Sequence, residues 1–411
     1  MSQSNQRRPA RTLAVLRDPV IQRLTIARGF VSLAMGMLPV SLSFTILRLL
    51  HSATDLGLIF AADSVTMVIT IAGAGVLADR LSRKHLLILA DLLFGLSMLS
   101  TGLLAITGIH ALTYYLVAAA LIGLADALFV PAFEGWAQAV IPAHQRQQAA
   151  AVRSIYRNIG AIAGPFLAAL LVAVFSAPLS LIAGGILPLI GGAIFTQLPD
   201  GRGAQTTSSF LSQLTSGWNS FRSRTWIWTV DLQFALWHVL VWAPIMVLGP
   251  VLADHYYHGA GGWALIWAGA GVGGVIGGLA AFRFHPKFPV RAGTLAMMLL
   301  APAMIGLAVH ANIWLTTGAT LVGGAGLEFF GALWSYSIQT HVPSDVVSKV
   351  ASFDFLASVA FLPIGLVIAV PMAHLISTEG VFFLAAGYLV FSAVLVLLVP
   401  SVRNLARTSS T

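Results

Sequence analysis

The chain reads as a succession of long apolar runs separated by short polar ones. Runs of about 20 mostly apolar residues, the length that crosses a bilayer as a helix, fall near 24–49, 55–77, 85–107, 112–137, 150–175 and 178–197. A second set falls near 227–252, 262–282, 291–309, 313–339, 350–373 and 380–400. Backbone polar groups in lipid must be satisfied within their own segment, so each run is read as a helix. The period-two alternation of a membrane-barrel strand is absent. The pattern predicts an all-α membrane protein with twelve transmembrane helices.

The polar positions divide these runs into two groups of six. The longest internal connection, 198–225, carries PDGRGAQTTSS, a linker composition. FLSQLTSGWNSF follows, and its apolar and polar residues suit a helix lying on a membrane surface. The expected organisation is a cytoplasmic tail (1–23), a six-helix bundle (24–197), a cytoplasmic linker (198–225), a second six-helix bundle (226–400) and a short cytoplasmic tail (401–411). The Arg-rich first 23 residues lead into a long apolar segment without a small-residue cleavage site. They read as a tail before a retained helix rather than a removed signal peptide.

Composition sharpens this picture. Of 411 residues, 58% are hydrophobic and 9% charged, against about 25% charged in soluble domains. A soluble fold would lack a polar surface. The net charge of +8 is spread over alternate connections rather than gathered in one patch, which argues against nucleic acid and for a topology signal. Lys and Arg cluster in the N-terminal tail, at Arg80, Arg83 and Lys84, and at Arg146, Arg153 and Arg157. They recur at Arg202, Arg222 and Arg224, at Arg283, Lys287 and Arg291, and at Lys349, Arg403 and Arg407. The opposite connections hold none, with only Arg48 near that side. The positive-inside rule then places both termini in the cytoplasm. With no cysteine, disulfides and thiolate metal sites are excluded. Asp254, His255 and His258 lack a further clustered ligand, so no metal and no cofactor is expected. GAGVGGVIGG at 269–278 spells a dinucleotide loop but lies inside an apolar run, where it is a packing segment.

The two groups resemble each other. GVLADRLSRK at 75–84 aligns with GLAAFRFHPK at 278–287, matching Gly75 with Gly278, Arg80 with Arg283 and Lys84 with Lys287. Gly123, Phe129, Gln138 and Pro142 stand opposite Gly324, Phe330, Gln339 and Pro343 at a constant offset. Pseudo-symmetric bundles around a midplane site are a transporter architecture.

Ionisable groups inside membrane runs cost several kcal/mol and are functional candidates. Asp126 and Glu328 lie near the middles of the fourth and tenth runs and form the candidate proton-coupling or cation-recognising pair. Asp231, Phe234, His238 and Trp242 recur at three- to four-residue steps, on one helix face. With Trp334, they are the candidate substrate-cavity residues. Arg28, Asp91, Glu134, Arg153, Arg157 and Asp354 lie at similar depth toward one end of their runs, as a candidate ion-pair gate. Asp63 and Arg48 lie toward the other end and serve similarly there.

GVLADRLSRKHLL at 75–87 resembles the loop 2–3 signature of the major facilitator superfamily, through Gly75, Leu77, Asp79, Arg80, Arg83 and Lys84. Ser82 replaces a usual glycine. GAIAGPF at 160–166 is similar to the helix 5 motif of that superfamily's exporters. Gly160, Gly164 and Pro165 match, while Ala168 and Ala169 stand where a glycine pair is usual. ALFVPAFEGWAQAVIP at 127–142 resembles the branch with siderophore and macrolide exporters. Ala119 stands where many drug–proton antiporters carry an arginine, so the proton relay of those antiporters does not carry over intact. The resemblance implies gating roles for Gly75, Asp79, Arg80, Arg83 and Lys84, and a tight leak-preventing seam between the halves at Gly160, Gly164 and Pro165. It further implies a secondary transporter in the bacterial inner membrane that exports amphiphilic small molecules, drugs or siderophore-like metabolites, driven by protons. An importer, symporter or facilitator on the same fold is the alternative, because fold does not fix direction. An enzyme is not expected, for want of a nucleophile–base or metal constellation. A monomer is expected, since two halves complete a cavity.

Overall fold

The computed structural model describes residues 18–142, 145–201, 218–343 and 346–407. Within the helices a few side chains fall outside that description, among them Gly75, Asp79, Arg80 and Arg157. The placements expected for those four therefore lie outside the described residues, as does most of the linker. All regular structure among the described residues is helical. In chain order the long helices are α1 (Pro19–Leu50), α2 (Ala53–Arg80), α3 (Arg83–Ile106), α4 (Leu112–Val140), α5 (Arg146–Val174) and α6 (Ala177–Phe195). They continue with α7 (Thr225–Tyr256), α8 (Ala260–Arg283), α9 (Pro289–Ala308) and α10 (Ile313–His341). The last are α11, built from Val347–Val359 and Leu362–Ile376 around a break, then α12 (Thr378–Leu398) and the short α13 (Pro400–Arg403).

These are twelve long helices among the described residues, one for each apolar run. Ten are long and apolar enough to cross a membrane. The other two are α5, with a shorter apolar stretch at Asn158–Val174, and α10. The polarity of α10 has a visible source: Thr316, Thr317, Thr320, Glu328, Ser335 and Ser337 interrupt its apolar residues.

The described residues separate into two compact units. The first spans 1–45 and 62–206; the second takes 46–61, where α1 passes into α2, with 207–411. In the first unit, α3 packs on α4 and α6. Close approach there relies on facing glycines: a Cβ at Gly95 would meet the Gly185 carbonyl oxygen at 2.7 Å. In the second unit, α8 packs along α10 through Gly269, Gly273 and Gly277, spaced by four. A Cβ on Gly269 would meet the Thr317 carbonyl oxygen at 2.7 Å, and one on Gly277 the Cα of Ala325 at 2.9 Å. The glycine run at 269–278 is thus a helix-packing surface, as small residues at this spacing permit.

The internal repeat has a structural counterpart. Both α2 and α8 end at the matched arginines, Arg80 and Arg283. Gly123 of α4 backs onto Asp63 of α2, while Gly324 of α10 backs onto Ala270 of α8. The same glycine therefore lets the fourth helix of each set approach the second.

Candidate functional site

The basic loop between α2 and α3 is anchored within the first unit. Arg83 Nη1 donates to the Gly135 carbonyl at 2.9 Å. Lys84 Nζ donates to the carbonyls of Thr196 and Leu198, both at 2.6 Å. These lie just past the last turn of α6, where a helix presents unpaired carbonyls and a partial negative charge. Ser82, at φ −62°, sits in ordinary backbone space, so the glycine usual at this position is not needed here. Its Oγ donates to Asp200 at 2.6 Å.

Gly160 and Gly164 of α5 face α1. A Cβ on Gly160 would meet the Cβ of Ser32 at 2.7 Å, and one on Gly164 the Cα of Gly36 at 2.7 Å. The motif thus has its partner within its own unit, and α5 runs through the buried Pro165 to Val174.

The charges placed at one depth by sequence separate into distinct pairs. Arg28 of α1 and Asp91 of α3 form a bidentate ion pair with exposures of 1% and 2%. The guanidinium lies between two rings, 5.2 Å from the centroid of Phe129 and 4.9 Å from that of Phe195. Glu134 of α4 pairs with Arg153 of α5 on an exposed surface, where such a pair contributes at most about 1 kcal/mol. Asp354 joins neither. It lies in the second unit, where Trp334 Nε1 donates to its Oδ1 at 2.9 Å and its carboxyl is close enough to that of Asp231 for the two to interact. Two ionised carboxyls this close repel each other. Asp231 is 3% exposed, and its Oδ2 has no partner.

Asp126 and Glu328 lie in different units. Asp126 is half-buried on α4 and close enough to Asp63 of α2 for their charges to interact. Glu328 is exposed on α10, and its side chain runs along α8 beside Gly274 and Gly278. Each midplane acid expected from sequence is thus placed, and two further acids, Asp63 and Asp354, join pairs that sequence spacing did not assign.

Asp231, Phe234 and His238 keep to one side of α7: Asp231 reaches Asp354, and His238 reaches the Ser358 backbone, both on α11. His238 Nδ1 also lies 2.9 Å from the Phe234 carbonyl. Residues His238–Trp242 then form a π turn. It precedes Pro244, whose missing N–H and bulky ring disrupt regular α-helical bonding. The turn carries Trp242 out of line with His238 and stacks it on Trp237, five residues back, at 5.5 Å. Phe234 stacks on Phe330 (4.9 Å) and Phe330 on Trp334 (5.9 Å), with Trp226 edge-on to Trp334 (5.2 Å). From Trp242, Trp267 and Trp263 carry the ring contacts onward at 5.5 and 6.2 Å. One unbroken aromatic file therefore runs through the second unit, with the acid pair at Trp334.

Elsewhere, the end of the linker docks on α11, Trp218 and Phe221 lying 5.7 and 6.1 Å from Phe353. His310 stacks on Tyr256 at 3.6 Å and lies 3.3 Å from Glu379. Among the described residues no group of three His, Asp or Glu side chains could hold a metal ion.

Helical bundles with acids inside spanning segments and a repeated plan define a polytopic membrane transporter. Residues 24–360 match the model of the Major Facilitator Superfamily, and the chain belongs to that family. It is 24% identical over 345 residues to the enterobactin exporter EntS of Escherichia coli O1:K1 / APEC, covering 81% of this chain and 80% of that one. The EntS of Shigella dysenteriae serotype 1 (strain Sd197) is 24% identical over 347 residues, with the same coverage. Among solved structures, the nucleoside transporter NupG superposes with a TM-score of 0.73 at 15% identity, over 92% of this chain and 98% of that one. The D-xylose-proton symporter gives 0.71 at 14% identity, over 94% and 99%.

Proposed function

We propose that the protein is a proton-coupled exporter of amphiphilic small molecules, working by alternating access in a bacterial inner membrane as a monomer with both termini cytoplasmic. The observation that carries the reading is the placement of acids on spanning helices of both units, Asp126 beside Asp63 in one and Glu328 against α8 in the other. A carboxyl surrounded by apolar helix is costly to ionise, which suits a group that takes up and releases protons. The Lys and Arg bias of alternate connections supports the orientation. The helix 5 glycines and the likeness to EntS support export over import. Gly75, Asp79, Arg80, Arg83 and Lys84 are the proposed gating loop. The aromatic file on α7 and α10 is the proposed cargo surface, with Phe234, His238, Trp242 and Trp334 as its contacts.

Membrane vesicles of defined orientation, loaded with cargo and given a pH gradient, test the coupling. Flux should follow the gradient and be lost in Asp126→Asn and Glu328→Gln. Flux indifferent to the gradient, with both variants fully active, rejects proton coupling. Direction is read separately: cells expressing the protein should be depleted of cargo, and accumulation would instead make it an importer.

A further inference from the structure

The acid pair of the second unit has no part in the coupling residues proposed above, and three observations converge on it. A cavity of about 230 Å³ lies against it, walled by Trp334 and Asp354 with Ile338, Val347, Ala351 and Gln339. Asp354 lines this cavity, while Asp231 is almost fully buried and close enough to Asp354 for the two carboxyls to interact. The second oxygen of Asp231 is unpartnered. Trp334 fixes Asp354 through its indole N–H and presents its ring to the same cavity. An aromatic face beside a carboxyl is a recognition surface for an organic cation. The volume is below the roughly 300–1,000 Å³ of pockets that enclose a whole drug-sized ligand, so the cavity suits a head group.

We propose that Asp231, Asp354 and Trp334 form a binding site for the head group of an organic monocation, which enters in exchange for one proton. A net charge buried in a low-dielectric interior is costly, and this site is neutral in two ways. With both carboxyls protonated, it is empty of cargo. With one proton shared between the carboxyls and a cation against Asp354, it is loaded. Passing from the first to the second releases one proton to solvent, breaking one O–H bond and leaving its electron pair on the carboxylate. Trp334 holds Asp354 as an acceptor facing the cavity, so the retained proton stays between the two acids.

Other titratable groups stand on the surrounding elements. His238 lies 2.9 Å from the Phe234 carbonyl. The Tyr388 hydroxyl on α12 donates to the Gln233 carbonyl at 2.6 Å. His341 on α10 lies 3.0 Å from the Ala406 carbonyl. Glu328 on α10 and Arg403 on α13 are exposed, and Lys349 on α11 is half-buried. The use of the exchanged proton in transport rests on the exporter reading; the binding itself does not.

The test is equilibrium binding of benzyltrimethylammonium to the full-length protein in lipid nanodiscs, in lightly buffered solution with a pH indicator. No gradient is applied, so a failed flux experiment leaves this result standing, and the reverse. Binding should release close to one proton per cation. Linkage of one proton then makes the apparent affinity fall by up to about tenfold for each pH unit of acidification. Asp354→Asn should weaken binding at least about tenfold, the order expected when one member of a buried charged contact is lost, and end proton release. Asp231→Asn, which leaves Asp354 to give up its own proton, should weaken binding less and still release one. Trp334→Phe, which keeps a ring but loses the N–H, should weaken binding less and still release a proton. Neopentylbenzene, the uncharged isostere, should release none. An affinity flat in pH for the unaltered protein overturns the proposal without any variant. So does equal binding of the neutral isostere, or proton release by sodium chloride alone.

Discussion

Asp91 on α3 and Asp231 on α7 are withdrawn from solvent to the same degree, but one faces a guanidinium and the other a second carboxyl. Around Asp91 both charges are matched in a two-point contact and the cation is clamped between Phe129 and Phe195. Its charge balance is set by residue types and stays fixed. Around Asp231 the balance depends on how many protons are present. The first arrangement suits a structural joint; the second suits a group whose charge changes during a cycle. The difference lies in the partner, not in burial or in distance from the helix ends.

Removing one member of each pair should separate these roles. The largest effect is expected from Arg28→Met, which strands Asp91 without a cation and should cost about 3–5 kcal/mol, read as a lower unfolding midpoint of the purified protein. Arg28→Met combined with Asp91→Leu should recover most of that loss, because an apolar replacement of a whole buried pair is often neutral; a double variant as unstable as the single one breaks the joint interpretation. Next, Gly164→Val and Gly273→Val should each cost about 1–3 kcal/mol by overpacking, the first by forcing α5 from α1 and the second by forcing α8 from α10. Trp334→Phe leaves an Asp354 oxygen without its donor and should cost about 1–2 kcal/mol. The smallest change in stability, within about 1 kcal/mol, is expected for Asp231→Asn, whose amide can donate a hydrogen bond to Asp354. Its effect should appear instead in cation affinity. A large stability loss in Asp231→Asn would make the acid pair a joint like the first.

The helices were legible because a bilayer demands long apolar segments, and nothing in the described residues required revising their number. The repeat was legible at Gly123 and Gly324, since only glycine permits the approach those helices make. The grouping of charges was not. Position along the runs assigns Arg28, Asp91, Glu134 and Asp354 one depth, but depth gives no azimuth around a bundle, and Asp354 stands 123 positions from Asp231. The α7 face was readable as far as His238 and lost at Trp242, where the π turn holds one extra residue. Pro244 was the available signal. The acid pair itself could have been suspected only from two aspartates in runs otherwise short of charge.

The π turn at His238–Trp242 leaves α7 carrying one residue more than an α-helix would place between its two ends. Deleting a single residue there would let the helix close into uninterrupted α form. Because the π turn absorbs its extra residue locally, the two ends would keep nearly the orientation they have. A deletion in the regular turns on either side would instead rotate one end against the other by about 100°, one residue's worth of helix. Either the Asp231 end would then swing away from α11 or the Gly249–Pro250 end from its neighbours. In this helix a lost residue is therefore better tolerated inside the wide turn than beside it.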